Sequence, residues 1–204
     1  MPLNETIQRL RAVILDANCQ YMNKSTVVGF LGEVLVCEKL RSEGLDVTHL
    51  GNQKGYDLQI TSLTPEIRID VKTAVGSDIQ GKMIRTWGWA LLSTTKKRPL
   101  TCTHFVCVAL DCELHPFAYH VIERSRVTEF PPSAGQFKSV IHAYAAHHPN
   151  NPFSVGTTWY DQHDKSELLF RSGAVSLVKP GESLSLAFKN LVKSATPTPG
   201  PSCP

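Results

Sequence analysis

A segment typical of a β-hairpin constrains the fold more than any other part of the chain. Two short β-like runs, Asp57 to Thr61 and Ile67 to Thr73, lie on either side of Leu63-Thr64-Pro65-Glu66. Proline beside small polar residues is typical of a tight turn, so we expect the two runs to pair as antiparallel strands. Side chains alternate between the faces of a strand, so this pairing decides which polar residues meet on one face.

Two helices are predicted before the hairpin. Apolar residues repeat at helical spacing over Asn4–Asn18, where Asn4 can cap the first helix. A second helix is predicted to begin at Ser25 or Thr26 and to run to about Glu43, because Gly44 tolerates the left-handed position after a helix. Much of its circumference is apolar, so we expect it to be largely buried.

The remaining periodic segments predict further strands and a terminal helix. The strands are Asp46 to Leu50, His104 to Leu110, Phe117 to Ile122, Gly156 to Tyr160 and Ser166 to Phe170, and the helix is Ser183 to Val192. A short helix from Ala134 to His147 is a further candidate, whereas Lys82 to Arg98 is predicted to be a long, poorly periodic connection. This order predicts an α/β (α+β) fold with a mixed central β-sheet flanked by helices.

The chain is long enough to form one well-buried domain, since it has 204 residues and 42% apolar content. We expect a single domain over residues 1–193, with a core at about 25–125 and a C-terminal extension over 126–193. The proline-rich residues 194–204 predict a disordered tail. The N-terminus lacks a secretory signal pattern and no stretch approaches the ~20 apolar residues of a membrane span, which favours a cytoplasmic protein.

Charge and cysteine content restrict the partners only loosely. The net charge of +3 permits a polyanionic partner without requiring one. The segment holding Cys102, His104, Cys107, Cys112 and His115 has the residue types that bind zinc. In a strand, however, Cys102 and His104 face one side and Cys107 the other, so the spacing disfavours a zinc site.

Two acids and a lysine form the strongest candidate site. Asp70 and Lys72 are two apart in a predicted strand, so their side chains share one face about 7 Å apart. Asp57 begins the paired strand and should lie opposite them, where two carboxylates can hold Mg²⁺ together with waters and phosphate oxygens. Lys72 can orient a water, help to deprotonate it and offset negative charge on phosphorus. Taken singly, Asp57 could be a turn residue, and Asp70 and Lys72 a surface ion pair.

Glu33 is the fourth candidate. On a helical wheel it falls between Phe30, Cys37 and Leu40, so it interrupts the apolar stripe of the second predicted helix. An ionised carboxylate there is costly without a partner, and a metal ion, a metal-bound water or Lys72 would relieve that cost.

These residues together resemble a known family. Gly32-Glu33 on a helix, Gly55-Tyr56-Asp57-Leu58 and Ile69-Asp70-Val71-Lys72-Thr73 are similar to the motifs of the PD-(D/E)xK nuclease superfamily, over about residues 25 to 125. Tyr56 stands where the name of that family has proline, and Asp70 where Glu is more frequent. The resemblance implies a restriction-endonuclease-like α-β-β-β-α-β core, metal ligation by Asp57 and Asp70, water activation by Lys72 and an auxiliary acid at Glu33, which would be a further metal ligand.

The resemblance implies an endonuclease that hydrolyses DNA with Mg²⁺, for which Mn²⁺ should substitute, in a restriction or host-defence system. A homodimer is expected because two sites are needed to cut both strands of a duplex. Holliday-junction resolvases, homing endonucleases and a catalytically silent nucleic-acid-binding protein of the same fold are the alternatives. The expected DNA contacts are Lys82, Arg85, Trp87, Lys96, Lys97 and Arg98, although Trp87 and Trp89 could equally pack in the core.

Overall fold

The computed structural model of the protein describes residues 3–16, 23–51, 55–78, 84–93, 101–126, 138–146, 155–160, 175–179 and 181–195. The α-helices within these ranges are α1 (Leu3–Leu15), α2 (Lys24–Ser42) and α3 (Leu184–Ala195), and a single 3-10 turn spans Arg124–Arg126. The strands are β1 (Val47–His49), β2 (Leu58–Ile60), β3 (Ile67–Val75), β4 (Ser77–Asp78), β5 (Ile84–Ser93), β6 (His104–Leu110), β7 (Pro116–Glu123), β8 (Lys138–Ala146), β9 (Val155–Tyr160) and β10 (Val175–Val178). No helix in these ranges has the length and apolar character that crossing a membrane requires.

The strands form two sheets. The larger has six strands in the order β1-β2-β3-β6-β7-β10, and the smaller has four in the order β4-β5-β8-β9. The predicted hairpin is confirmed, because β2 pairs antiparallel with β3 and Leu58 lies opposite Ile69. Strands β3 and β6 are parallel, so the larger sheet is mixed. The predicted fold class, a mixed sheet flanked by helices, is confirmed.

Two predictions for the segments after the hairpin are wrong. The stretch Lys82 to Arg98 is not a plain connection, since it contains β5, and the candidate helix Ala134 to His147 contains β8. Strand β8 lies between β5 and β9, and this pairing on both sides overrides the helical preference of its alanines. Strand β9 confirms the predicted strand Gly156 to Tyr160, and α3 confirms the terminal helix. The predicted strand Ser166 to Phe170 and residues 196–204 of the predicted tail lie outside the described residues.

The larger sheet separates two apolar clusters. The first cluster lies between the helices and one face of the sheet, and includes Leu31 and Leu35 of α2 with Ile69 and Val71 of β3. The second lies on the opposite face and includes Phe105 and Cys107 of β6 with the tryptophans of β5. The two faces of β3 therefore have different surroundings, as strand alternation requires.

Glu43, directly after α2, anchors the start of α3. Its Oε1 accepts a hydrogen bond from the Leu184 N–H at 3.1 Å, and its Oε2 accepts from the Ser185 N–H at 2.6 Å and the Ser183 hydroxyl at 2.9 Å. Burial alone would raise the pKa of Glu43, but the bonds from Ser185, Lys39, Leu184 and Ser183 outweigh it and lower the pKa to about 2. A carboxylate thus satisfies N–H groups that have no partner within the helix.

We expect Glu43→Gln to lower the free energy of unfolding by about 1 to 2 kcal/mol at pH 7, because the variant loses charge-assisted hydrogen bonds. The folded-state pKa lies below the usual 4.5, so the stabilisation is present above pH 4.5 and disappears as the pH falls towards 2. Urea titrations of both proteins at pH 7 and pH 3 measure this difference. The exposed Glu66 supplies the control Glu66→Gln; an equal effect of the two substitutions at pH 7 would contradict the anchoring role.

Candidate active site

Asp57 lies at the entrance to β2, where the chain joins the hairpin. Its N–H donates to the Ile69 carbonyl oxygen at 2.8 Å, and its Oδ2 accepts from the Val71 N–H at 2.7 Å. The side chain therefore bridges to β3 at the point where regular pairing ends. Asp57 is only 6% exposed, so its carboxyl group is held rigidly in a nearly dry position.

Asp70 and Lys72 point to the face of β3 that is turned away from α2. Their parallel partners in β6 are Phe105 and Cys107, which belong to the second cluster. Lys72 Nζ donates to Asp70 Oδ1 at 2.7 Å, and the lysine side chain is 22% exposed while that of Asp70 is 7% exposed. The predicted sharing of one face by this pair is therefore confirmed, and the pair is mostly shielded from water.

The electrostatics of the two acids favour a cation between them. Burial, the charge of Asp70 and, to a smaller extent, the charge of Glu33 raise the pKa of Asp57 to about 7, against the lowering effect of the Val71 N–H bond. Asp70 Oδ2 is buried and has no hydrogen-bond partner in the described part of the chain. A buried acceptor without a partner is costly, and a cation is one group that would satisfy it.

Glu33 is on α2, on the other side of the sheet from Asp70 and Lys72. Its Oε2 lies 2.7 Å from His49 Nε2, and the edge of the Phe30 ring packs against His49 with centroids 5.7 Å apart. Lys72 is thus not its partner. Glu33 still acts on the site, because its charge contributes to the raised pKa of Asp57.

The predicted ligand set of Asp57, Asp70 and Glu33 does not gather as three direct metal ligands. Among the described residues there is no group of three or more His, Cys, Asp or Glu side chains able to hold a metal ion. Two carboxylates remain, and their hard oxygens fit Mg²⁺, which keeps several waters and needs only one or two protein carboxylates. The unpartnered Oδ2 of Asp70 and the mutual repulsion of the two acids agree with that fit.

The expected DNA contacts lie almost entirely outside the part of the chain whose side chains are described. Lys82, Lys96, Lys97 and Arg98 fall in the gaps, and Arg85 lies on β5 where only the backbone is described. Trp87 is 2% exposed; its indole N–H donates to the Leu110 carbonyl oxygen at 2.6 Å, and its ring stacks on Phe117 at 4.9 Å. Trp89 is equally buried. Both tryptophans pack in the core, so Trp87 is not available to stack on a base.

The cysteine and histidine segment divides between the two faces of the sheet. Cys102 and Cys107 belong to the second cluster, whereas the His104 ring packs edge-on against Phe188 of α3 at 5.5 Å. Burial, followed by the charge of Asp70, raises the pKa of Cys102 to about 12. Both thiols are buried in the second cluster, Cys107 directly beside Lys72 in the β3–β6 pair, and they are neutral packing groups.

His49 is a site residue that sequence reasoning missed. It lies at the end of β1, directly opposite Leu58 and therefore next to Asp57. Pairing the predicted strand Asp46 to Leu50 with the hairpin would have brought it to the site. The sequence signal was the strand pattern Val47-Thr48-His49, which places His49 on the same face as the apolar Val47.

Comparisons with known proteins include a distant structural similarity. No family model matches the sequence, and no curated protein matches it. Among solved structures, the chain is similar to a bacterial homing endonuclease, I-Ssp6803I, with 14% sequence identity and a TM-score of 0.44. The alignment covers 86% of this chain and 100% of that chain. A similarity this distant does not bear on activity, and the functional conclusion depends on the site alone.

Proposed function

We propose that the chain is a Mg²⁺-dependent endodeoxyribonuclease that hydrolyses phosphodiester bonds. One observation carries this proposal: two buried acids, Asp57 and Asp70, meet at the open end of a hairpin with Lys72 bound to one of them. Two hard carboxylates beside a lysine ammonium match the requirements of phosphodiester hydrolysis, because negative charge develops on the phosphate oxygens during the reaction. A surface ion pair would not need the burial that this pair has.

Each side chain has a definite task in this proposal. Asp57 and Asp70 would hold Mg²⁺, which when bound supplies Lewis-acid stabilisation of the phosphate. Lys72 orients the attacking water through its ammonium N–H groups, and its positive charge favours loss of the water's proton to the surrounding solvent. The same charge stabilises negative charge at phosphorus. Glu33 acts from the far side through its charge, held by His49.

The biological role that we propose is restriction or host defence, carried out by a homodimer. A two-fold symmetric dimer presents one active site to each strand of a duplex. Mn²⁺ should replace Mg²⁺, since both accept carboxylate oxygens.

The decisive test incubates the purified protein with Mg²⁺ on supercoiled plasmid, four-way junction and single-stranded DNA. Discrete plasmid fragments are expected. Cutting confined to the junction would identify a structure-specific nuclease instead. Binding without cleavage of any substrate, in Mg²⁺ or Mn²⁺, would contradict the proposed activity and indicate a silent DNA-binding protein.

The pairing of Glu33 with His49 leads to a separate prediction. His49→Leu removes the N–H partner of Glu33, whose charge acts on Asp57. Loss of a partner that contacts a metal ligand directly costs about 10- to 100-fold in metal affinity or activity, so we expect a loss of about 10-fold for this more remote partner. His49→Gln keeps a donor and should retain most of the cleavage rate. The Mg²⁺ concentration for half-maximal cleavage is the measurement, supported by Mn²⁺ binding followed by electron paramagnetic resonance. Identical metal dependence in all three proteins would remove His49 from the site.

A further inference from the structure

A row of polar side chains crosses the outer part of the larger sheet beside the candidate site. Thr48 lies opposite Gln59 in the β1–β2 pair, and Gln59 lies opposite Arg68 in the β2–β3 pair. Their neighbours along each strand, such as Leu58 and Ile69, point into the first cluster, so the row lies on the other face. Thr48 is exposed, and Gln59 and Arg68 are half-buried. This part of the face is therefore partly accessible to solvent.

Arg68 is the only charged side chain in this row, and the structure holds it in place. The backbone N–H of Arg68 donates to Thr103 Oγ1 at 2.9 Å, and the backbone carbonyl oxygen of Arg68 accepts from the Thr103 N–H at 2.8 Å. The guanidinium carbon lies 5.7 Å from the centre of the buried Tyr56 ring, whose hydroxyl donates to Gln59 Oε1 at 3.3 Å. Stacking on an aromatic ring restricts a guanidinium without using its N–H donors.

No carboxylate in the part of the chain that the structure describes forms an ion pair with Arg68. Among the described residues, the ion pairs involve other cations, including Lys72 with Asp70 and Lys39 with Glu43. Arg68 precedes Asp70 by two residues on the same face of β3, so its Cα is about 7 Å from that of the acid. Tyr56, which supports it, is adjacent to Asp57 in the chain. Within the described ranges, Arg68 is thus a cation without an acidic partner, oriented by Tyr56 on the same face of β3 as Asp70.

We propose that Arg68 binds a phosphate of the nucleic-acid backbone next to the phosphodiester that is cut, and thereby positions the strand over Asp57 and Asp70. This inference rests on the proposed function. A guanidinium matches phosphate oxygens with two parallel N–H bonds, which fixes orientation as well as affinity. Arg68 is in this role a positioning residue, and its contact carries no sequence preference.

The test measures binding of a labelled DNA duplex by fluorescence anisotropy in EDTA, from 50 to 300 mM salt, with cleavage assayed separately in Mg²⁺. Arg68→Gln is expected to weaken binding on the order of tenfold, equally for unrelated sequences, and to reduce the slope of log affinity against log salt by about 1. Arg68→Lys keeps the charge and should retain the slope, with intermediate affinity, because it loses the stacked fork. Arg9→Gln makes the same change of charge on α1, far along the chain, and should bind as the wild type does.

The outcomes separate this inference from the proposed function. If the wild type cleaves DNA but Arg68→Gln binds with the affinity and salt slope of Arg9→Gln, the inference is overturned and the nuclease remains. If the wild type binds DNA and never cleaves it, while Arg68→Gln shows the expected loss of affinity and of salt slope, the phosphate contact of Arg68 is supported and the proposed nuclease activity is overturned. Absence of both DNA binding in EDTA and cleavage in Mg²⁺ by the wild type overturns both.

Discussion

Lys72→Ala should reduce Mg²⁺-dependent cleavage by about 10² to 10⁴-fold while leaving DNA affinity close to that of the wild type. The reason is the position of Nζ, 2.7 Å from Asp70 Oδ1 on a mostly buried face. In the proposed mechanism, Nζ would there act on the reacting phosphate and not on the rest of the duplex. Single-turnover cleavage with enzyme in excess measures the chemical step, and anisotropy in EDTA measures affinity. A variant that cleaves at the wild-type rate would exclude the lysine from the mechanism.

Two further substitutions control for loss of structure in that experiment. Removing Lys72 leaves a buried carboxylate without its partner, which can itself be strongly destabilising. Lys72→Gln keeps a hydrogen-bond donor for Asp70 but has no charge, so it should fold more stably than Lys72→Ala and be nearly as inactive. Lys189→Ala removes an exposed lysine from α3 and should cleave normally. Thermal unfolding of each variant shows whether lost activity follows lost folding.

Gly32→Ala should lower the free energy of unfolding by about 1 to 3 kcal/mol, although alanine is the better helix former. A Cβ at this position would lie 1.8 Å from Thr73 Oγ1 and 2.8 Å from Thr73 Cβ. A short β-branched side chain has little freedom to move away, so either α2 or β3 must shift. Thr73 follows Lys72 directly, and we expect the same variant to cleave more slowly than the wild type.

Gly29 on the same helix provides a matched control with the opposite sign. A Cβ built there has no atom within 4 Å, so Gly29→Ala should stabilise the protein by up to about 1 kcal/mol through helix propensity alone. Adding Thr73→Ala to Gly32→Ala removes two of the three clashing atoms and should recover part of the loss in a double-mutant cycle. Urea unfolding of the wild type, Gly29→Ala, Gly32→Ala, Thr73→Ala and the double variant measures these energies. Equal stabilisation by both glycine replacements would show that α2 and β3 are not in close contact at Gly32.

The hairpin and its three polar residues could be predicted because their structure is determined locally. Strand alternation puts Asp70 and Lys72 on one face whatever else the chain does, and the Leu63 to Glu66 turn brings Asp57 back to them. The predicted position of Glu33 in the helix was also correct, but its partner was not. A helical wheel shows which side of a helix a residue occupies and contains no information about the strand that packs there.

The smaller sheet shows the limit of local patterns. Strand β5 alternates buried tryptophans with the exposed Gly88. The backbone groups along its two edges pair with β4, which precedes it in the chain, and with β8, which follows long after it. The alanines of β8 favour a helix until two neighbouring strands supply its backbone hydrogen bonds. The same pairing buries Trp87 and Trp89 against β6, and so removes from the surface two rings whose role the chain alone left open.

From its amino acids alone, this chain specifies the hairpin, the two acids and the lysine, since each depends on neighbours a few residues away. The meeting of His49 with Glu33, the parallel alignment of β3 with β6 and the open position of Arg68 were decided by the folded molecule. Each of these contacts joins segments that are distant in sequence. Such contacts form only when burial of apolar surface over the whole domain offsets the conformational entropy lost in bringing the segments together.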